Sequence, residues 1–247
     1  MSRRPRNKHI QLTLDDARRP TGTHGGWRPN AGRPRTRNGV AHERRETVAA
    51  RYPQHVTQRI ESGVASLRKN ELVALIRNAI GQSHGPEFRV AEFAIESNHL
   101  HMIIEAENNE ARTRGLKGLG VRIARSVNRA TGRSGPVFAD RYHARPLKTP
   151  REVHNAIRYV LNNTRHHVPG LDAEPTWIDP CSSALWFDGW AKPIELDAWW
   201  KRVLIEQPSP TAKARTWLLA VGWRRHGLLH FDETPGRSSS VRRRGST

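Results

Sequence analysis

Between Glu87 and Ala106 the chain reads EFRVAEFAIESNHLHMIIEA, two apolar runs broken only by Ser97-Asn98. Runs of this length and composition are strands, and a two-residue break joins them as an antiparallel hairpin. A lone hairpin is marginal in water and needs further strands or helices to cover an apolar face. The flanking sequence provides them. HVTQRI (55–60) alternates as a strand, and NELVALIRNAI places Leu72, Leu75, Ile76, Ala79 and Ile80 at helical spacing, with Asn70 as its N-cap. After the hairpin, Leu116, Leu119, Ile123 and Val127 form the apolar stripe of a helix from about Asn109 to Ala130. VFADRYHARPL then reads as a fourth strand. In the last helix Thr149 is the N-cap, Pro150 takes the first helical position and Glu152 completes a capping box. Val153, Ala156, Ile157, Val160 and Leu161 are its buried stripe, and Pro169-Gly170 stops it. The order β-α-β-β-α-β predicts an α+β, ferredoxin-like split βαβ: a four-stranded antiparallel sheet with helices on one face and the other face left for function.

Four segments are expected: a basic flexible arm over 1–46, the sheet domain over 47–170, a Trp-rich helical extension over 171–232, and a disordered basic tail over 233–247. The extension holds seven of the eight tryptophans. They fit two or three short helices anchored on the main domain, with stacking on unpaired bases as the alternative.

Lys and Arg number 42 against 23 Asp and Glu, a net charge of +19. That imbalance predicts a polyanionic partner, nucleic acid first and an anionic membrane surface a distant second. Arg33 and Arg35 lie in GGWRPNAGRPRTRNG, a segment suited to the minor groove or to generic phosphate contact. Arg114, Arg122, Arg125 and Arg129 fall opposite the apolar stripe of the second helix, either as a solvated face or as a phosphate-backbone contact. Cys181 is the only cysteine, which excludes a disulfide framework and a Cys-based zinc site. With no apolar run long enough for a bilayer and no h-region behind the basic N-terminus, an intracellular protein is expected.

On the third strand Leu100, Met102 and Ile104 alternate with His99 and His101, so the two imidazoles share the face away from the core. Such a pair can bind one divalent cation, though a solvated strand face also carries histidines by chance. Tyr159 and Asn163 stand one turn apart at the edge of the last helix's apolar stripe, with Glu152 and His166 on the same side. Tyr159 on its own also suits an amphipathic boundary.

Asn98-His99-Leu100-His101, then VFADRYHAR, then Tyr159-Val160-Leu161-Asn162-Asn163 resembles the single-tyrosine HUH transposases, Leu100 filling the hydrophobic U position. The REP-associated tyrosine transposases are the branch it resembles, over about residues 50–167. The chain departs from that pattern at Thr164, where many relatives carry Pro, and at Ala144-Arg145, where an acidic residue is usual. The resemblance implies an enzyme that nicks and rejoins single-stranded, hairpin-containing DNA in the bacterial cytoplasm, associated with the nucleoid. It implies Tyr159 as the nucleophile, forming a 5′-phosphotyrosine and a free 3′-OH. His99, His101 and Asn163 would hold Mg²⁺ or Mn²⁺, and Arg141 on the fourth strand would join the DNA contacts. Both monomers and dimers fit.

Three rivals follow from the same residues. A domesticated relative would bind DNA hairpins without cutting. An RNA-binding ferredoxin-like domain would carry aromatic platforms on its central strands, where this chain has histidines. A zinc hydrolase would recruit Glu105, which shares the histidine face, as a third ligand.

Overall fold

The computed structural model describes residues 47–167, 177–194 and 208–233. Contacts divide the chain into Met1–Gly39 and Val40–Thr247, and all the described residues belong to the second unit. Its elements run β1 (Gln54–Arg59), α1 (Asn70–Gly81), β2 (Phe88–Ile95), β3 (His99–Ala106), α2 (Asn109–Thr131), β4 (His143–Pro146) and α3 (Pro150–His167). The strands form one sheet in the order β2-β3-β1-β4, every neighbouring pair antiparallel. This is the expected ferredoxin-like topology.

The hairpin closes as the two-residue break requires: Glu96 N–H donates to the His99 carbonyl at 2.9 Å. Leu100, Met102 and Ile104 meet Leu72, Ile76 and Ile80 of α1 and Leu116, Leu119, Ile123 and Val127 of α2 in one core. Ile103, on the opposite side of β3, joins Val153, Ala156, Ile157 and Val160 of α3 in a second core. The helices therefore sandwich the sheet, with α1 and α2 on one face and α3 on the other.

That second core corrects the expectation that one sheet face stays free. The strongly apolar stripe of α3 has to be buried, and α1 and α2 already fill the other face. α3 lies over β2 and β3, and the extension completes the cover with Phe187, Trp190, Leu218 and Trp223. The extension contributes 3-10 turns at Ala184–Trp186 and Gly222–His226 and a short helix α4 (Trp217–Ala220). Trp190 and Trp223 are core anchors, whereas Trp217 is 49% exposed. The arm, the tail beyond Glu233 and the stop at Pro169-Gly170 lie outside the described residues.

Two further boundaries differ. The fourth strand is four residues long because the chain turns at Asp140, whose side chain accepts from Arg141 N–H at 2.6 Å, leaving Phe138 in a single bridge to Ile60. Asn70 begins α1 rather than capping it; the cap position is Lys69, which has no side-chain acceptor to offer. At α3 the capping box is present: Glu152 N–H donates to Thr149 Oγ1 at 3.2 Å, and Glu152 Oε2 accepts from Thr149 N–H at 3.0 Å. No helix among the described residues is long and apolar enough to cross a membrane.

Candidate active site

His101 occupies the central strand, opposite Thr57 on β1 and Ala94 on β2. It is 4% exposed, and His99, nearer the strand end, is half-buried. The two Nε2 atoms lie 2.9 Å apart. On the other edge of each ring, His99 Nδ1 is 2.7 Å from Asn98 Oδ1 and His101 Nδ1 is 3.1 Å from Thr57 Oγ1. Asn98 Oδ1 only accepts, so it favours the His99 tautomer protonated at Nδ1, whereas the Thr57 hydroxyl serves either tautomer of His101. A polar partner at Nδ1 is the support ordinarily found behind ligating histidines.

α3 brings Tyr159 over this pair. Its ring centroid is 5.1 Å from that of His101 and 5.7 Å from that of His55, edge-on to both. The phenol is half-buried, and burial followed by the Glu96 carboxylate pushes its pKa above the ordinary tyrosine value. In the protein alone the hydroxyl is thus held protonated, and its use as a nucleophile calls for added positive charge.

Asn163, one turn along α3, is 1% exposed. Its Nδ2 donates to Glu96 Oε1 at 2.7 Å, while its Oδ1 is buried without a hydrogen-bond partner. A buried, unpartnered carbonyl oxygen costs about 1–3 kcal/mol unless something electropositive meets it. Among the described residues no group of three His, Cys, Asp or Glu side chains could hold a metal. Asn163 Oδ1 is an unpartnered oxygen donor on the helix that carries Tyr159. Two imidazoles and one amide oxygen suit a divalent cation of intermediate softness.

Glu105 does not supply that ligand. Its carboxylate pairs with Arg89 at 3.0 Å and accepts from the backbone N–H groups of Arg215 and Thr216 and from the Thr216 hydroxyl. It ties the extension to β3 rather than facing the histidines. Glu152, expected on the Tyr159 side, is spent on the α3 cap. The His166 side chain lies outside the described residues, as do Arg33 and Arg35.

Arg114, Arg122, Arg125 and Arg129 are all exposed on α2, as expected, but α2 lies across the sheet from Tyr159. Arg114 donates to Glu87. Arg141 is exposed at the turn before β4. Tyr142 packs against the α1/α2 core, away from the histidines, which separates it from the site.

The structure adds residues that the sequence patterns left unassigned. His55 lies 3.2 Å from His101 Nδ1, and burial, then the charges of Arg145 and His143, pull its pKa down to about 4, so its ring is neutral at ordinary pH. His55, Thr57 and Arg59 share the histidine face of β1, a row visible in the alternation of HVTQRI once the register with β3 is known. Arg59, His143 and Arg145 are exposed beside it, so the half of this face not covered by α3 is basic. Glu96 had one sequence signal, a charge closing the apolar run Phe93-Ala94-Ile95.

No family model matches the chain, and no curated protein matches it. Among solved structures it is similar to a REP-associated tyrosine transposase bound to a REP hairpin, at 16% identity and a TM-score of 0.48, covering 64% of this chain and 92% of that one.

Proposed function

We propose that this chain is a single-tyrosine DNA strand transferase that nicks and rejoins single-stranded, hairpin-containing DNA. The observation that carries this reading is the meeting of His99 and His101, their Nε2 atoms 2.9 Å apart, with the Tyr159 ring edge-on at 5.1 Å. In the forward step Tyr159 Oη attacks the scissile phosphorus. A P–O bond forms to the phenol, the bond to O3′ breaks, and the phenolic proton is balanced by the one that completes the leaving 3′-OH. The product is a 5′-phosphotyrosine, which a different 3′-OH reverses to join strands without ATP.

The residues that would hold a divalent cation are His99 and His101 through Nε2 and Asn163 through Oδ1, a set friendlier to Mn²⁺ than to Mg²⁺; once bound it would stabilise charge on the phosphate and lower the phenol's pKa. The polypeptide does the rest. Thr57 and Asn98 orient the imidazoles, and α3 fixes Tyr159 on a rigid element. Arg59, His143 and Arg145 give the neighbouring phosphates a basic surface.

The test is a covalent-adduct assay with labelled single-stranded oligonucleotides from DNA flanking the gene, in Mn²⁺ or Mg²⁺, on a denaturing protein gel. Label is expected to travel with the protein, to vanish in Tyr159→Phe and to persist in Tyr142→Phe. An adduct that survives Tyr159→Phe removes Tyr159 as nucleophile. Tight binding with no adduct on any flanking hairpin favours a protein that binds without cutting.

A further inference from the structure

A carboxamide has two ends of nearly equal size and opposite polarity, so burial alone does not decide which way Asn163 faces. Glu96 decides it. An ionised carboxylate only accepts hydrogen bonds, so it takes the NH₂ end: Asn163 Nδ2 donates to Glu96 Oε1 at 2.7 Å. The Oδ1 end is thereby turned away, buried and unpartnered. Asn163 follows Tyr159 by one helical turn on the same flank of α3, the flank that meets His101.

Glu96 is itself held. It is 7% exposed, and its Oε2 lies 3.8 Å from Arg68 Nη1. Arg68 is fixed in turn by Asp179, with contacts of 2.7 and 3.0 Å, by the Ile95 carbonyl at 3.0 Å and by Thr164 Oγ1 at 3.2 Å. Asp179 lies in the extension. A continuous polar chain therefore runs from the extension through Arg68 and Glu96 to Asn163. The backbone N–H of Glu96 also closes the hairpin that launches the histidine strand.

We infer that Glu96 is a positioning residue for the cation site: it sets the Asn163 amide with its oxygen turned away from the carboxylate as the third ligand, and the extension supports that orientation through Asp179 and Arg68. This rests on the metal-assisted reading above, which assigns Asn163 as a ligand. Glu96 touches neither substrate nor cation, and its effect is on affinity.

The probe is Mn²⁺ alone, titrated into the full chain with free Mn²⁺ followed by electron paramagnetic resonance. Apo melting temperature is recorded alongside. Glu96→Gln keeps a carbonyl acceptor for Asn163 Nδ2 and is expected to bind within about threefold of wild type. Glu96→Met, similar in length but without an acceptor, is expected to bind about 10–100-fold more weakly, the usual cost of losing support behind a ligand. Glu96→Ala, which lacks the acceptor and adds no bulk, takes its place should the Met variant not fold. A purely structural role would lower the apo melting temperature and leave Mn²⁺ affinity alone, and that result overturns the inference. Equal weakening by Gln and Met also overturns it, because charge rather than the acceptor would then matter. Wild type that binds Mn²⁺ and forms the Tyr159 adduct, with Glu96→Met unchanged in affinity, sinks the positioning role alone. Wild type that binds no Mn²⁺ removes the metal-assisted reading together with it.

Discussion

The carboxyl of Glu92 stands where the alternation of β2 breaks. The register with β3 shifts between Val90 and Glu92, and the bulge turns Glu92 towards a cavity of about 480 Å³ lined by Trp186, Phe187, Trp223 and Lys213. Oε2 accepts from Ser183 Oγ at 2.6 Å. Burial pushes the Glu92 pKa up to about 8, the Ser183 hydrogen bond opposing the shift and the Asp188 charge adding to it. A raised folded-state pKa means that the folded chain holds the proton more tightly than the unfolded one. The associated stability is fully present below the ordinary glutamate value and is lost as pH rises through about 8. Glu92→Gln, which never ionises, is expected to melt at the same temperature as wild type near pH 4.5. By pH 9 it should melt roughly 2–4 °C higher, corresponding to about 1 kcal/mol in a chain of this size. Melting curves across that range check it, and parallel curves for the two proteins would dismiss the assignment. In the sequence Glu87–Ile95 reads as one plain strand, because a one-residue shift in pairing leaves no mark in composition. The histidine pair was legible because the alternation around it is unbroken.

At the scale of elements, periodicity carried the hairpin, α1, α2 and α3, since each has an apolar stripe whose spacing admits one conformation. It did not carry the face on which α3 packs. A stripe demands burial but names no partner, and only the prior filling of one face by α1 and α2 sends α3 to the other. β4 was overextended for a similar reason: VFADRYHARPL alternates tolerably, but the Asp140 turn ends the pairing. The approach of α2 to β2 was also hidden in composition. Gly115 sits on α2 with the Phe88 ring directly against its Cα, so that a Cβ there would overlap the ring. Phe88 is itself buried in the α1/α2 core and cannot swing out without opening it. Gly115→Ala gains helix propensity yet is expected to destabilise by about 1–3 kcal/mol through overpacking. Urea denaturation decides the sign; a stabilised variant would mean that the two elements separate more easily than their packing indicates.

For the molecule as a whole, the question is whether the extension is an accessory or part of the folding unit. Its described residues make no core of their own. Phe187, Trp190, Leu218 and Trp223 are buried only together with Ala91, Ala94 and Ile103 of the sheet and the apolar stripe of α3. Ser183 N–H donates to the Phe93 carbonyl at 2.9 Å and Ile95 N–H to the Cys181 carbonyl at 2.9 Å, so the extension also covers the open edge of β2. Asp179 is the polar joint: its buried carboxylate accepts from Arg68, from Thr164 Oγ1 at 2.6 Å and from Cys181 N–H at 2.9 Å. Two parts that bury each other's apolar surface should unfold in one transition. Seven of the eight tryptophans lie in the extension, so tryptophan fluorescence reports on it while far-UV circular dichroism reports mainly on the sheet and long helices. The two signals are expected to give the same melting temperature in the wild type. Asp179→Asn keeps the size of the side chain but removes the nearer of the two carboxylates beside the Arg68 guanidinium, leaving Glu96 at 3.8 Å, at a cost of about 2 kcal/mol. That should lower both signals together by roughly 4–8 °C. A fluorescence transition that falls while the dichroism transition stays would show an extension docked on an independently stable sheet. Coincident displacement would show instead that the residues supporting Asn163 belong to the unit that folds the histidine strand.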